Sequence, residues 1–157
     1  MSDVSPADDE TEAERISRNW IELLQELRVT QTGVQILTAF LLILPFQRRF
    51  PTLTDGQQWL YVGVLIGSVI ATALITAPVC FHRLLFRRRL RAWLVEAADR
   101  AARAGLLFLA LTMTGAVALV VDVAVGRPAA TILTVAVALL FATLWWLLPV
   151  TVLRRSR

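Results

Sequence analysis

Apolar residues fall along this chain in four blocks, each close to 20 residues long, at about 29–46, 59–79, 105–125 and 129–152. Twenty residues of helix cross a hydrocarbon layer ~30 Å thick. In lipid, a helix satisfies every backbone N–H and C=O within one segment. The pattern therefore predicts four membrane-spanning helices. Polar links separate them. "LPFQRRFPTLTDGQQ" joins the first two, with Pro45 and Pro51 as punctuation and a turn expected at Asp55-Gly56. "DVAVGRP" joins the last two, with Gly126 as a stop and Pro128 as a start. Short links favour antiparallel neighbours, so the expected fold is all-α, an integral membrane four-helix bundle.

Two weaker periodicities flank the blocks. Glu14, Arg18 and Glu22 follow at four-residue spacing, which predicts a solvated interfacial helix leading into the first span. Between the second and third spans, Phe86, Leu90, Trp93, Ala97 and Ala101 share one helical face, and Arg87, Arg88, Arg91 and Arg103 lie off it. That predicts a basic amphipathic helix on the membrane surface. The expected organisation is a mobile acidic tail (1–12), one transmembrane domain (13–153) and a basic C-terminal tail (154–157).

Composition sharpens this reading. The chain is 57% hydrophobic and 18% charged, against about 45–50% and 25% for a soluble domain. All sixteen basic residues are Arg, and thirteen of them fall at the N-terminal side, in the loop between spans two and three, or in the C-terminal tail. Only Arg48, Arg49 and Arg127 fall on the other side. Positive charge stays on the cytoplasmic face. Both termini and the Arg-rich loop are therefore expected in the cytoplasm, and the protein in the inner cell membrane. The expected partners are anionic lipids of the inner leaflet, contacted by Arg83, Arg87, Arg88, Arg89 and Arg91, and the arginines call for no nucleic acid. Trp20, Trp93, Trp145 and Trp146 map near one interface, and Trp59 and Tyr61 near the other. Cys80 stands alone, which leaves no intrachain disulfide. The acidic N-terminus "MSDVSPADDETEAE" lacks the pattern of a signal peptide.

The blocks "NWIELLQELRVTQTGVQILTAFLLILPFQRRF", "APVCFHRLLFRRR" and "WWLLPV" resemble a family of small actinobacterial four-span membrane proteins, domain of unknown function 6328. The resemblance implies fold and location and assigns no catalytic residue. Some members carry a sodium:proton antiporter label, which implies ion transport.

Several residues are candidates for chemistry. At 100° per residue, Arg28, Gln31, Gln35 and Thr38 fall in one sector of the first helix. Such a stripe either lines a polar path or supplies hydrogen bonds between helices, with Ser68, Thr72, Thr76 and Thr143 as the nearest partners. The carboxylates Glu22, Glu26 and Asp122 are proton-site candidates; the alternative pairs the first two with loop arginines and Asp122 with Arg127. His82, the sole histidine, is a candidate pH-sensitive group or an interfacial hydrogen-bonding one. Gly63, Gly67 and Ala71 form a ridge of small residues suited to close packing, within the chain or in a homo-oligomer.

The sequence carries no phosphate loop, dinucleotide fingerprint or nucleophile elbow. No enzyme activity, cofactor or metal site is expected. Two functions remain: a structural or interaction module of the membrane, or a small transporter or channel for protons or monovalent cations.

Overall fold

The first three apolar blocks lie in helices longer than a bilayer requires, and the fourth is divided by a π-helical turn. The computed structural model describes residues 12–85 and 91–155, with side chains at 18, 25, 28–81 and 96–151. The helices are α1 (Glu12–Ile43), α2 (Asp55–Leu85), α3 (Arg91–Ala124), α4 (Arg127–Ala142) and α5 (Leu148–Arg155). A π-helical turn, Thr143–Leu147, joins α4 to α5. No strand occurs among the described residues. Four segments are long and apolar enough to cross a membrane: Arg28–Phe46, Asp55–Phe81, Glu96–Ala124 and Arg127–Thr151. Exposed on their surfaces are Phe40, Trp59, Ile132 and Leu139. Water would reject such surfaces, and lipid accepts them. These are the marks of a multi-pass membrane protein. At 1.5 Å per residue, α1, α2 and α3 measure about 46–51 Å and so outreach a ~30 Å hydrocarbon core.

The tightest packing joins α2 to α3, and it follows a heptad. The buried residues of α2 are Tyr61, Val64, Ser68, Ala71, Ile75 and Pro78, spaced 3-4-3-4-3. Those of α3 are Ala98, Ala102, Gly105, Thr112 and Leu119. Half-buried Leu109 and Ala116 complete the same 4-3 spacing. Residues so spaced stay on one stripe, the pattern of helices packed at a shallow crossing angle. Ser68, Ala71, Ala98, Ala102, Gly105 and Ala116 are the small members of this stripe, and the backbones approach closely. A Cβ added at Gly67 would lie 2.7 Å from Thr112 Oγ1, one at Gly105 2.7 Å from Ile75 Cγ1, and one at Gly115 2.6 Å from Val64 Cγ2. From α1, Val34 and Leu41, one heptad apart, are buried, and Val34 joins Ala71, Ile75 and Ala102 in the core.

The helices pack in chain order: α1 on α2, α2 on α3, and α3 on α4. Among the described residues no α1–α4 seam stands beside these three. Of α4, only Ala130 is buried.

Two local expectations are corrected. The surface helix expected in the Arg-rich loop is not separate from Arg91 onward, because α3 runs unbroken from Arg91 to Ala124, while 86–90 lie outside the described residues. Nothing before Gly105 breaks it, and ion pairs at i,i+4 join Glu96 to Arg100 (3.3 Å) and Asp99 to Arg103. Ala98 and Ala102 of this stretch are buried. The Asp55-Gly56 turn is instead the first turn of α2. Thr54 caps it: its N–H donates to Gln57 Oε1 (3.0 Å) and its Oγ1 accepts from the Gln57 N–H (3.4 Å). That is a capping box, and Asp55 beside it complements the helix dipole.

Helix breaks fall where prolines and glycine demand them. Pro45 and Pro51 each open a 3-10 turn, Leu44–Phe46 and Phe50–Thr52. Gly126 has φ 115°, a left-handed conformation that glycine adopts without strain, and its N–H donates to Val121 O (3.1 Å) to close α3. The π turn precedes Pro149. Proline has no N–H for the carbonyl of Trp145, four residues back, and its ring crowds that carbonyl. Widening the turn absorbs the conflict: the Leu148 N–H reaches five residues back, to Thr143 O. Of the tails, Glu12 opens α1 and Arg154 and Arg155 end α5, while 1–11 and 156–157 lie outside the described residues.

Candidate functional site

The strongest polar constellation joins the start of α2 to the end of α3. Because the capping N–H of Thr54 occupies Gln57 Oε1, the Gln57 amide must present its NH2 elsewhere. It donates from Nε2 to Asp122 Oδ2 (2.8 Å), a contact between residues 65 apart in sequence. Asp122 is half-buried there. The sequence-based partner, Arg127, is exposed and is not paired with it; the amide of α2 is nearer than the far side of the Gly126 turn. A side-chain hydrogen bond between spanning helices is worth on the order of 1 kcal/mol. Its chemistry here is fastening, since it locks one end of the α2–α3 hairpin.

One turn further along α2, the buried Tyr61 hydroxyl donates to the Leu41 carbonyl of α1 (3.0 Å). In a continuous helix that carbonyl would accept from residue 45, but residue 45 is proline and has no N–H. Tyr61 replaces the missing donor. The Phe50 ring meets the Tyr61 ring edge-on, centroids 5.1 Å apart. The loop between α1 and α2 is thereby pinned to the α2–α3 end.

The four residues of the α1 stripe do not share one environment. Arg28 and Gln35 are exposed, whereas Gln31 and Thr38 are half-buried. Val34 marks the buried direction. At 100° per residue, Gln31 and Thr38 lie about 60° and 40° from it, and Gln35 and Arg28 about 100° and 120°. Thr38 donates to its own helix, at Val34 O (2.8 Å). The expected cross-helix partners are also satisfied locally. Ser68 donates to Leu65 O, Thr72 to Ser68 O, Thr76 to Thr72 O, and Thr143 to Leu139 O, all at 2.7–2.8 Å. Hydroxyls bond this way in apolar helices because the carbonyl one turn back is always within reach.

The small-residue ridge divides as well. Ala71 is fully buried in the core and Gly67 abuts Thr112, but Gly63 is exposed with nothing within 4 Å of an added Cβ. Thr112 itself is 2% exposed, and its hydroxyl has no hydrogen-bond partner. Sequence reasoning missed Thr112, Gly105 and Gly115, although the 4-3 spacing of small residues in α3 was there to be read. Glu22 and Glu26 lie on α1, His82 and Arg83 on α2, and Arg91 opens α3. Their side chains, like Arg87, Arg88 and Arg89 entirely, lie outside the described residues.

A family of unknown function, DUF6328, matches residues 9–149. No curated protein matches the chain. No solved structure matches it either.

Proposed function

Because the chain belongs to the DUF6328 family, for which no activity is known, we propose on physical grounds that it is a structural or interaction module of the cell membrane. It assembles with a second copy of itself through α4. The observation that carries this reading is the contrast between the helices. The α2–α3 hairpin is tightly packed and fastened at one end, whereas none of the most apolar stretch of Arg127–Thr151 is buried within the chain. A rigid hairpin that displays an uncovered apolar helix is suited to docking. Every Asp, Glu and Arg of the four spanning segments lies in the first or last third of its segment. A transport path calls for an ionisable group nearer the midplane, which disfavours proton or cation transport. In this proposal both termini and the Arg-rich loop face the cytoplasm, and the arginines between His82 and Arg91 bind anionic lipid of the inner leaflet.

Subunit counting by single-molecule photobleaching in lipid nanodiscs tests the assembly. Two copies per particle in the wild type, falling to one on Ile132→Asn with Leu139→Asn, is the expected result. Monomers at every protein density would overturn it. Sodium- or proton-coupled flux in proteoliposomes would favour transport instead. For topology, in a Cys80→Ser background, Thr54→Cys should react with an impermeant thiol reagent in intact cells and Arg157→Cys should not.

A further inference from the structure

The one buried residue of α4, Ala130, lies near the Gly126 turn. Toward the other end the two helices leave a cleft of about 690 Å³. Leu107, Ala110, Leu111, Ala138, Phe141 and Trp145 line it. The π turn before Pro149 contains Trp145, whose ring packs edge-on against Phe141 at 4.9 Å. The lining is apolar except at the ends. Along the helix axis Thr114 marks one end, with its hydroxyl spent on Ala110 O (2.8 Å), and Arg103, the one charged lining residue, marks the other.

We propose that this cleft is a binding site for one anionic phospholipid, with an acyl chain between α3 and α4 and the phosphate on Arg103. Three observations select that occupant. The volume falls within the ~300–1,000 Å³ of small-molecule sites, and the apolar lining offers a hydrocarbon chain no polar competitor. The one charged lining residue, Arg103, is positive and largely exposed, so it can meet a phosphate. Trp145 and Trp146 line the cleft as well, and indole rings favour the headgroup level. Arg103 is held meanwhile by Asp99, but both side chains are more than half exposed, at 70% and 52%. An exposed i,i+4 pair is worth only a few tenths of a kcal/mol, so a phosphate displaces the carboxylate readily. A second copy of the chain is a poor occupant, because it would bury the guanidinium against an apolar face. This site is separate from the arginines between His82 and Arg91 and does not include Ile132 or Leu139.

Native mass spectrometry of the full chain tests the assignment after nanodiscs of equal phosphatidylcholine and phosphatidylglycerol are dissolved in mild detergent. One retained phospholipid per chain is expected, enriched in phosphatidylglycerol. Arg103→Gln should lose the enrichment by roughly fivefold, the effect of one basic contact near a charged headgroup. Asp99→Asn, which frees Arg103, should raise it. Ala138→Phe, which fills the cleft, should abolish retention, whereas Ala136→Phe, outside the lining, should preserve it. Retention unchanged in Ala138→Phe, or no preference for phosphatidylglycerol in the wild type, would overturn the site. So would a lipid-free dimer that Ala138→Phe dissociates. Arg103→Gln and Asp99→Asn alter exposed side chains only, so their outcomes do not depend on refolding of the core.

Discussion

Replacing Gly67 with Ala should destabilise the protein, and removing the Thr112 side chain should rescue it. The added Cβ would stand 2.7 Å from Thr112 Oγ1, closer than non-bonded atoms tolerate. Thr112 cannot easily move, since it is β-branched, 2% exposed and wedged in the α2–α3 seam. Overpacking of this kind costs about 1–3 kcal/mol. Alanine returns ~1 kcal/mol over glycine in helix propensity. The net loss for Gly67→Ala is therefore about 1 kcal/mol. Thr112→Ala alone should be nearly neutral. It forfeits a buried methyl group, worth about 1 kcal/mol, but removes a buried hydroxyl without a partner, an unfavourable group of similar size. The double variant has no clash and keeps the propensity gain, so it should equal or exceed the wild type. The coupling energy is then roughly 2 kcal/mol in favour of the pair. Reversible unfolding in mixed micelles with rising SDS, followed by far-UV circular dichroism, measures all four corners of the cycle. Additive single effects, or Gly67→Ala as stable as the wild type, would refute the close approach.

The same substitution should act oppositely at two other glycines of the α2–α3 hairpin. Gly105→Ala meets Ile75 Cγ1 at 2.7 Å and the Ile75 backbone N at 3.2 Å, so a loss of about 1–2 kcal/mol is expected, while the open position Gly63→Ala should gain up to ~1 kcal/mol; the SDS midpoints decide. Tyr61→Phe strands the Leu41 carbonyl beside Pro45 and should cost ~1 kcal/mol, with faster hydrogen exchange at the end of α1 as its local signature. Asp122→Leu should loosen the α2–α3 end by about 1–2 kcal/mol by orphaning the Gln57 amide, and Gln57→Leu with Asp122→Leu should recover part of that loss.

How much of this was legible in the sequence differs between levels. Element type and number were, because a 20-residue apolar run has few alternatives in lipid. Gly126 and Pro128 were also read correctly, since a left-handed residue and a helix-starting ring leave little choice. What was read only in part was the rotation of α1 and α2 about their axes. In water, polar residues mark the outer face and apolar residues the inner one. In lipid that contrast vanishes, and a polar side chain tempts the reader to turn it inward. Gln35 and Thr38 show why the inference is unsafe. Thr38 needs no neighbour, because the carbonyl of Val34 is one turn away in its own helix. Gln35 is exposed, about 100° from the packed direction that Val34 defines.

The rule that does set rotation in this chain is size. Packing in lipid rests on van der Waals contact, and contact is greatest where small residues let backbones meet. Ala98, Ala102, Gly105 and Thr112 spell that stripe in α3 as plainly as any hydrophobic face would in a soluble helix. Reading size at 4-3 spacing recovers Ala71 from the expected ridge, sheds the exposed Gly63, and adds Thr112. Away from the Gly126 turn, α3 and α4 hold a cleft between them, with one basic side chain, Arg103, in its lining. The polar residues of this chain thus serve two uses that hydropathy alone cannot separate. Thr38, Thr72 and Thr76 are consumed within their own helices. Gln57, Tyr61 and Asp122 are spent at one end, where a proline and a helix cap leave backbone groups to be satisfied.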